Sequence, residues 1–274
     1  MNSIVEQRLQ QCRSEGRAAL IGYFPVGYPS VEESIQAVTT LIDNGCDIIE
    51  LGVPYSDPVM DGPVIAAAVQ HALDNGARLS HVFDVVRAVS GRGVPIVVMT
   101  YFNPIFHYGV ERFAQDLAAA GGAGVVTPDL TPDYAHDWIA AADAHHLDKI
   151  FLVAPSSTDE RLHLTAQASR GFVYAASTMG VTGERTTISD AAEELVHRTQ
   201  QQGASYVCVG LGVSTPEQAA RVGAYADGVI VGSAFVKALT GESGQSLEER
   251  RETMGRIASA MATAIAGVRA QETS

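Results

Sequence analysis

Cys46-Asp47-Ile48-Ile49-Glu50-Leu51-Gly52 is the stretch on which the fold turns. It has the length of a buried strand and is apolar on both faces, as a strand inside a parallel sheet requires. Runs of the same kind recur at Ala18–Phe24, Pro95–Thr100, Gly124–Thr127, Ile150–Val153, Phe172–Ala176, Tyr206–Val209 and Val229–Val231. Between them lie segments with helical periodicity, among them Val31–Asn44, Arg112–Ala120, Tyr134–His145 and Ala191–Gln202. The last shows the expected end signals: Ser189 as N-cap, Asp190, Glu193 and Glu194 at the positive N-terminus, and Gly203 at the close. Strand candidates alternating with helices predict an α/β fold with a parallel sheet, closed into a (β/α)8 TIM barrel. A doubly wound open sheet is the rival, but no GxGxxG follows the first strand. Ahead of that strand, Ile4, Val5, Leu9 and Cys12 at helical spacing predict an extra N-terminal helix covering the barrel floor.

The chain has 274 residues, 46% of them hydrophobic and 18% charged, which excludes a disordered or fibrous chain. A barrel of this length is expected as one domain spanning residues 1–274. The formal net charge of −13 argues against a general nucleic-acid surface. A phosphorylated metabolite is still compatible with it, provided backbone N–H groups meet the anion. Cys12, Cys46 and Cys208 are scattered and odd in number, so they read as reduced thiols. No apolar run has the length of a membrane span and the N-terminus lacks a signal-peptide core, so a soluble, cytoplasmic protein is expected.

In such a barrel the chemistry sits at the C-terminal ends of the strands. Glu50 lies there among Ile and Leu, so its carboxylate must be paired or carry a raised pKa. A raised pKa suits a general acid working near neutrality; a neighbouring Arg or backbone donors would make it merely structural. The following loop, Val53-Pro54-Tyr55-Ser56-Asp57-Pro58-Val59-Met60-Asp61-Gly62-Pro63, is stiff and polar. Asp61 reads equally as a catalytic group or as a cap of the helix that Pro63 opens. Gly210-Leu211-Gly212-Val213-Ser214 and Val231-Gly232-Ser233-Ala234 follow the seventh and eighth strand candidates. Loops after those strands commonly grip phosphate, with glycine admitting the anion to the backbone and Ser233 adding a hydroxyl at a helix start.

Absences narrow the reaction. Lys149 precedes the fifth strand candidate and Lys237 lies a helical turn past Ser233, so neither suits a Schiff-base aldolase. The histidines form no HxH or HExxH pattern, and no metal site is legible. Carboxylate acid–base chemistry on a phosphorylated substrate remains.

Glu50-Leu51-Gly52-Val53-Pro54-Tyr55-Ser56-Asp57-Pro58, followed by Asp61-Gly62-Pro63, resembles the signature of the tryptophan synthase alpha subunit family. So do Gly180-Val181-Thr182-Gly183, Gly210 with Gly212, and Gly232-Ser233, and the likeness runs from about Gly22 to Lys237. The resemblance implies retro-aldol cleavage of indole-3-glycerol phosphate to indole and glyceraldehyde 3-phosphate. It implies Glu50 as the general acid that protonates indole C3, and Asp61 as the anion that accepts the indole N–H. It further implies a lid over Ser177–Thr187 whose Thr182 bonds Asp61, and phosphate contacts at Gly183, Gly212, Gly232 and Ser233. Tyr23, Met99, Tyr101 and Leu211 would wall the indole pocket. Tyr174 reads equally as a partner of Glu50 or as a barrel aromatic.

The same resemblance implies docking on a pyridoxal-phosphate beta subunit that receives the indole in an alpha-beta-beta-alpha complex. The alpha chain itself holds no cofactor. Docking would use Asp57, Pro58, Asn103, Pro104 and the Pro128-Asp129-Leu130 turn. The chain departs from the family's pattern at Thr131, where a proline is usual, and at Thr178-Met179 in the lid. Its rivals are a free-standing indole-3-glycerol-phosphate lyase and a non-catalytic phosphate-binding barrel that regulates a partner.

Overall fold

The computed structural model describes residues 3–176, 190–210, 212–241 and 244–270. The chain opens with α1 (Ile4–Ser14), β1 (Ala19–Pro25), α2 (Val31–Asp43), β2 (Ile48–Gly52), α3 (Pro63–Asp74) and α4 (Ser80–Val89). It continues through β3 (Ile96–Met99), α5 (Phe102–Tyr108), α6 (Val110–Ala120), β4 (Gly124–Val126), α7 (His136–Ala144), β5 (Asp148–Ile150), β6 (Leu152–Val153) and α8 (Asp159–Ala168). It ends with β7 (Val173–Ala176), α9 (Asp190–Gln201), β8 (Val207–Gly210), α10 (Pro216–Tyr225), β9 (Gly228–Val231), α11 (Ser233–Thr240) and α12 (Leu247–Ala270).

All the strand pairs are parallel, in the order β5-β4-β3-β2-β1-β9-β8-β7-β6. The two ends of that order are pieces of one strand, separated only by Phe151. Ile150 O accepts from Thr127 N at 3.2 Å on one side, and Phe151 O accepts from Tyr174 N at 3.0 Å on the other. The ladder therefore closes, and the sheet is the expected barrel. Because the fifth run is split, the sixth, seventh and eighth sequence candidates are β7, β8 and β9.

Alternation sorts each strand between two cores. Leu20, Ile49, Leu51, Val98, Val125 and Val209 face outward into the layer between sheet and helices. Ile21, Ile48, Val97, Val126, Ile150, Cys208 and Ile230 point into the barrel. That interior is stopped at its lower end by Val5, Leu9 and Cys12 of α1, as the N-terminal spacing predicts. Ile4 is the exception; it is half exposed and turns away from the floor.

Polar groups fasten the stopper. The Ser3 hydroxyl donates to Asp148, and Arg13 donates to Asp227 at 2.8 Å. Asp148 also accepts from Arg170 Nε at 2.8 Å, and Asp227 from the Val207 N–H at 2.9 Å. The floor is thus closed to water, and the opposite mouth, where the strand C-termini emerge, is left for a ligand.

Candidate functional site

A cavity opens at that mouth, where the sites of such barrels lie. It is lined by Tyr23, Glu50, Asp61, Met99, Tyr174, Gly210, Gly212, Gly232 and Ser233, all singled out in the sequence. Met60, Ile65, Val126, Leu152, Ala176 and Ile230 complete it, and the sequence reading missed them. Four of these six are strand residues whose inward position follows from period-two alternation once one inward residue per strand is known. Met60 and Ile65 arrive from the loop after β2 and from α3 and had no such signal.

Glu50 is the third residue of β2, beside Tyr23 on β1 and Val97 on β3. Its side chain is 1% exposed, and its Oε2 has no hydrogen-bond partner among the described residues. No Arg among the described residues pairs with it. Burial alone pushes its carboxyl up to about 8, so the group is mostly protonated at neutral pH. Asp61 lines the same cavity, at the end of the β2 loop. Gly62, not Asp61, is the N-cap of α3, and no side chain caps that helix. The capping role is therefore not the one Asp61 performs here. Burial raises its carboxyl less, to about 6, which leaves it mostly ionised at pH 7. One cavity thus holds a protonated carboxyl and an ionised one.

Two tyrosines flank these acids, and each is admitted by glycine on neighbouring strands. A Cβ on Gly232 would stand 2.9 Å from Cδ1 of Tyr23, and one on Gly52 would overlap the Tyr23 hydroxyl. In the same way a Cβ on Gly210 would overlap the hydroxyl of Tyr174. Gly210 thus makes room for a ring, a different service from the phosphate contact read in the sequence. Burial, above all, raises both phenols well beyond the ordinary tyrosine range, so both stay neutral.

Another part of the lining has the features of a candidate anion site. Gly212 holds φ +65°, a conformation that favours glycine. Gly232 caps α11 without a side-chain bond, and Ser233 is the first helical residue, lining the cavity. The first N–H groups of that helix have no intrahelical acceptors and face a site where anions are favoured. Ser214 turns elsewhere: its N–H and hydroxyl both bond Gln218 Oε1, at 2.8 and 3.1 Å, inside the cap of α10.

Two expectations fall differently, and others lie on residues outside those described. Tyr101 does not line the cavity; it stands behind the β2 loop, where its hydroxyl accepts from the N–H groups of Val59 and Met60 at 3.0 Å each. Lys149 is the middle residue of β5, a position inside the strand instead of before it, and its ammonium bonds Asp143 at 2.5 Å. Thr182, Gly183, Leu211, Ser189 and the Ser177–Thr187 lid lie outside the described residues. Among the described residues no cluster of three or more His, Cys, Asp or Glu could hold a metal ion. No helix among them is long and apolar enough to cross a membrane.

A closed parallel barrel whose mouth holds two buried carboxyls, in one cavity with the glycine-capped N-terminus of α11, defines a (β/α)8-barrel protein with a candidate acid–base site. The tryptophan synthase alpha chain family model matches residues 9–266. The alpha chain of Mycobacteroides abscessus is 62% identical over 83% of this chain and 87% of its own length. That of Mycobacterium bovis strain BCG is 58% identical over 90% of each. A chain in the structure of Mycobacterium tuberculosis tryptophan synthase superposes with a TM-score of 0.90 at 53% identity, covering 97% of this chain and 99% of that one. Tryptophan synthase subunit alpha from Legionella pneumophila superposes at 0.85 with 30% identity over 97% of this chain and 99% of its own. The chain belongs to the tryptophan synthase alpha chain family.

Proposed function

We propose that the chain is the alpha subunit of a tryptophan synthase and cleaves indole-3-glycerol phosphate by a retro-aldol step. The observation that carries the reading is the pair of carboxyls in one cavity, with Glu50 raised to about 8 and Asp61 to about 6. Glu50 gives its proton to indole C3, which turns the ring into an electron sink and lets the bond to the glycerol chain break. Asp61 accepts the indole N–H and opposes the positive charge that develops there, an electrostatic contribution that is large where water is excluded. The glycerol hydroxyl proton leaves as the aldehyde forms, with the Glu50 carboxylate as its acceptor. Gly212, Gly232 and Ser233 meet the phosphate, Tyr23 and Met99 contact the indole, and Tyr174 lines the same cavity.

Residues 1–274 act as one domain in this reading. The indole passes to a beta subunit, whose pyridoxal phosphate supplies the chemistry of the second reaction, while this chain needs no cofactor of its own. The setting is the cytoplasm. The test is paired substitution: Glu50→Gln should abolish indole release while an unreactive indole phosphate still binds. Asp61→Asn should cut kcat by orders of magnitude with little change in that affinity. An active Glu50→Gln enzyme would remove Glu50 from the acid role.

A further inference from the structure

Tyr101 is fixed with unusual completeness for a residue outside the cavity. Before it, the Thr100 N–H bonds Val126 O at 3.1 Å, so the chain is still on the ladder of β4. After it, the Phe102 N–H bonds both carboxylate oxygens of Asp129, at 2.9 and 3.1 Å. The ring is 6% exposed and stacks at 5.4 Å on Tyr55, whose hydroxyl accepts from Asn103 Nδ2 at 3.0 Å. The loop it faces is otherwise open to solvent, with Ser56, Asp57 and Val59 exposed and Val59 71% so. Onto this rigid post the loop hangs two consecutive amides, those of Val59 and Met60, and the next residue is Asp61.

We propose that Tyr101 is a positioning residue for Asp61: its hydroxyl, accepting from Val59 and Met60, fixes the loop so that the Asp61 carboxylate is held in the cavity that Glu50 also lines. The inference rests on the cleavage reading above and adds to it a residue that need not touch the substrate. A neutral phenol oxygen suits the task, because it accepts two N–H groups without adding charge beside a carboxylate that must stay anionic. Burial, opposed by these two N–H groups, keeps the phenol raised and therefore neutral. A displacement of about 1 Å at a reacting group costs on the order of 10²-fold in rate, which sets the scale of the effect.

The experiment is Tyr101→Phe in the full-length chain, which keeps the ring and removes only the acceptor. The kcat for indole release should fall about ten- to a hundredfold while KM changes by less than about threefold. The acid limb of the kcat profile should move to lower pH, because a loosened Asp61 regains water; the basic limb should stay. In an Asp61→Asn background the same substitution should cost less than about threefold, since the group it positions is gone. Hydrogen exchange at the Val59 and Met60 amides should quicken more than about tenfold, a readout that needs no substrate. Wild-type kcat in Tyr101→Phe, or an equal loss in the Asp61→Asn background, would overturn the proposal. Absence of indole release from the unsubstituted chain would instead overturn the cleavage reading, and the amide exchange would still decide whether Tyr101 anchors the loop.

Discussion

The hydroxyl of Tyr174 occupies the space that a side chain on Gly210 would need. Tyr174 pairs with Cys208 in register, and its ring runs two residues further along to lie over Gly210. Gly210→Ala should therefore push the ring into the cavity, costing about 1–3 kcal/mol of stability by overpacking. It should also abolish cleavage while leaving the affinity for glycerol 3-phosphate intact, because the anion rim is untouched. Denaturant unfolding and phosphate-ligand titration separate these effects; lost affinity with a stable fold would return Gly210 to the phosphate grip.

Glu50 and Asp61 set a pH window. Glu50 must be protonated, so activity falls as pH rises through about 8; Asp61 must be ionised, so it falls as pH drops through about 6. A kcat profile with its maximum near neutrality is expected. Stability carries a second signature. A carboxyl raised from 4.5 to about 8 by folding favours the protonated form, so its contribution is intact below 4.5 and is lost as pH climbs to about 8. Glu50→Gln has no such loss and should gain on the wild type across that interval, by roughly 4 kcal/mol at its upper end. Parallel stability curves would show that Glu50 is not a buried acid.

Ser233→Asp places a negative charge at the N-terminus of α11, on the anion rim. Affinity for a phosphate ligand should fall by at least about tenfold, since like charges meet where the helix favours an anion. Unchanged affinity in a calorimetric titration would move the phosphate elsewhere.

Leu9→Ala tests the floor. Leu9 is 1% exposed and belongs to the cluster that stops the barrel interior. The substitution should cost about 2–5 kcal/mol in denaturant unfolding, as for other large-to-small changes in a core. A neutral result would make α1 an ornament of the fold.

The barrel was legible because strand length, apolarity on both faces and helix end signals all agree over the whole chain. Two features escaped that reading. The break of the fifth strand at Phe151 follows from hydrogen bonds shared between two neighbours, and local pattern does not encode it. Ile4 fits helical spacing as well as Val5 does, yet only the docking angle of α1 decides which of them faces the floor. In the site, Glu50 announced itself as a charge in an apolar strand. Gly210 and Tyr101 have local roles that the sequence did not show, for one reason. A glycine that admits an anion and a glycine that admits a ring are the same letter, and a tyrosine's partner 41 or 42 residues away is a product of the loop's path. Asp61 could be separated from a helix cap only when Gly62 was seen in that position.

Indole release from indole-3-glycerol phosphate, by the purified chain with and without a beta subunit, tests the central claim most directly. Slow release that rises steeply on adding the beta subunit is the expected result. Fast release by the chain alone would contradict the subunit assignment in favour of a free-standing lyase, and no release in either case would contradict the cleavage itself.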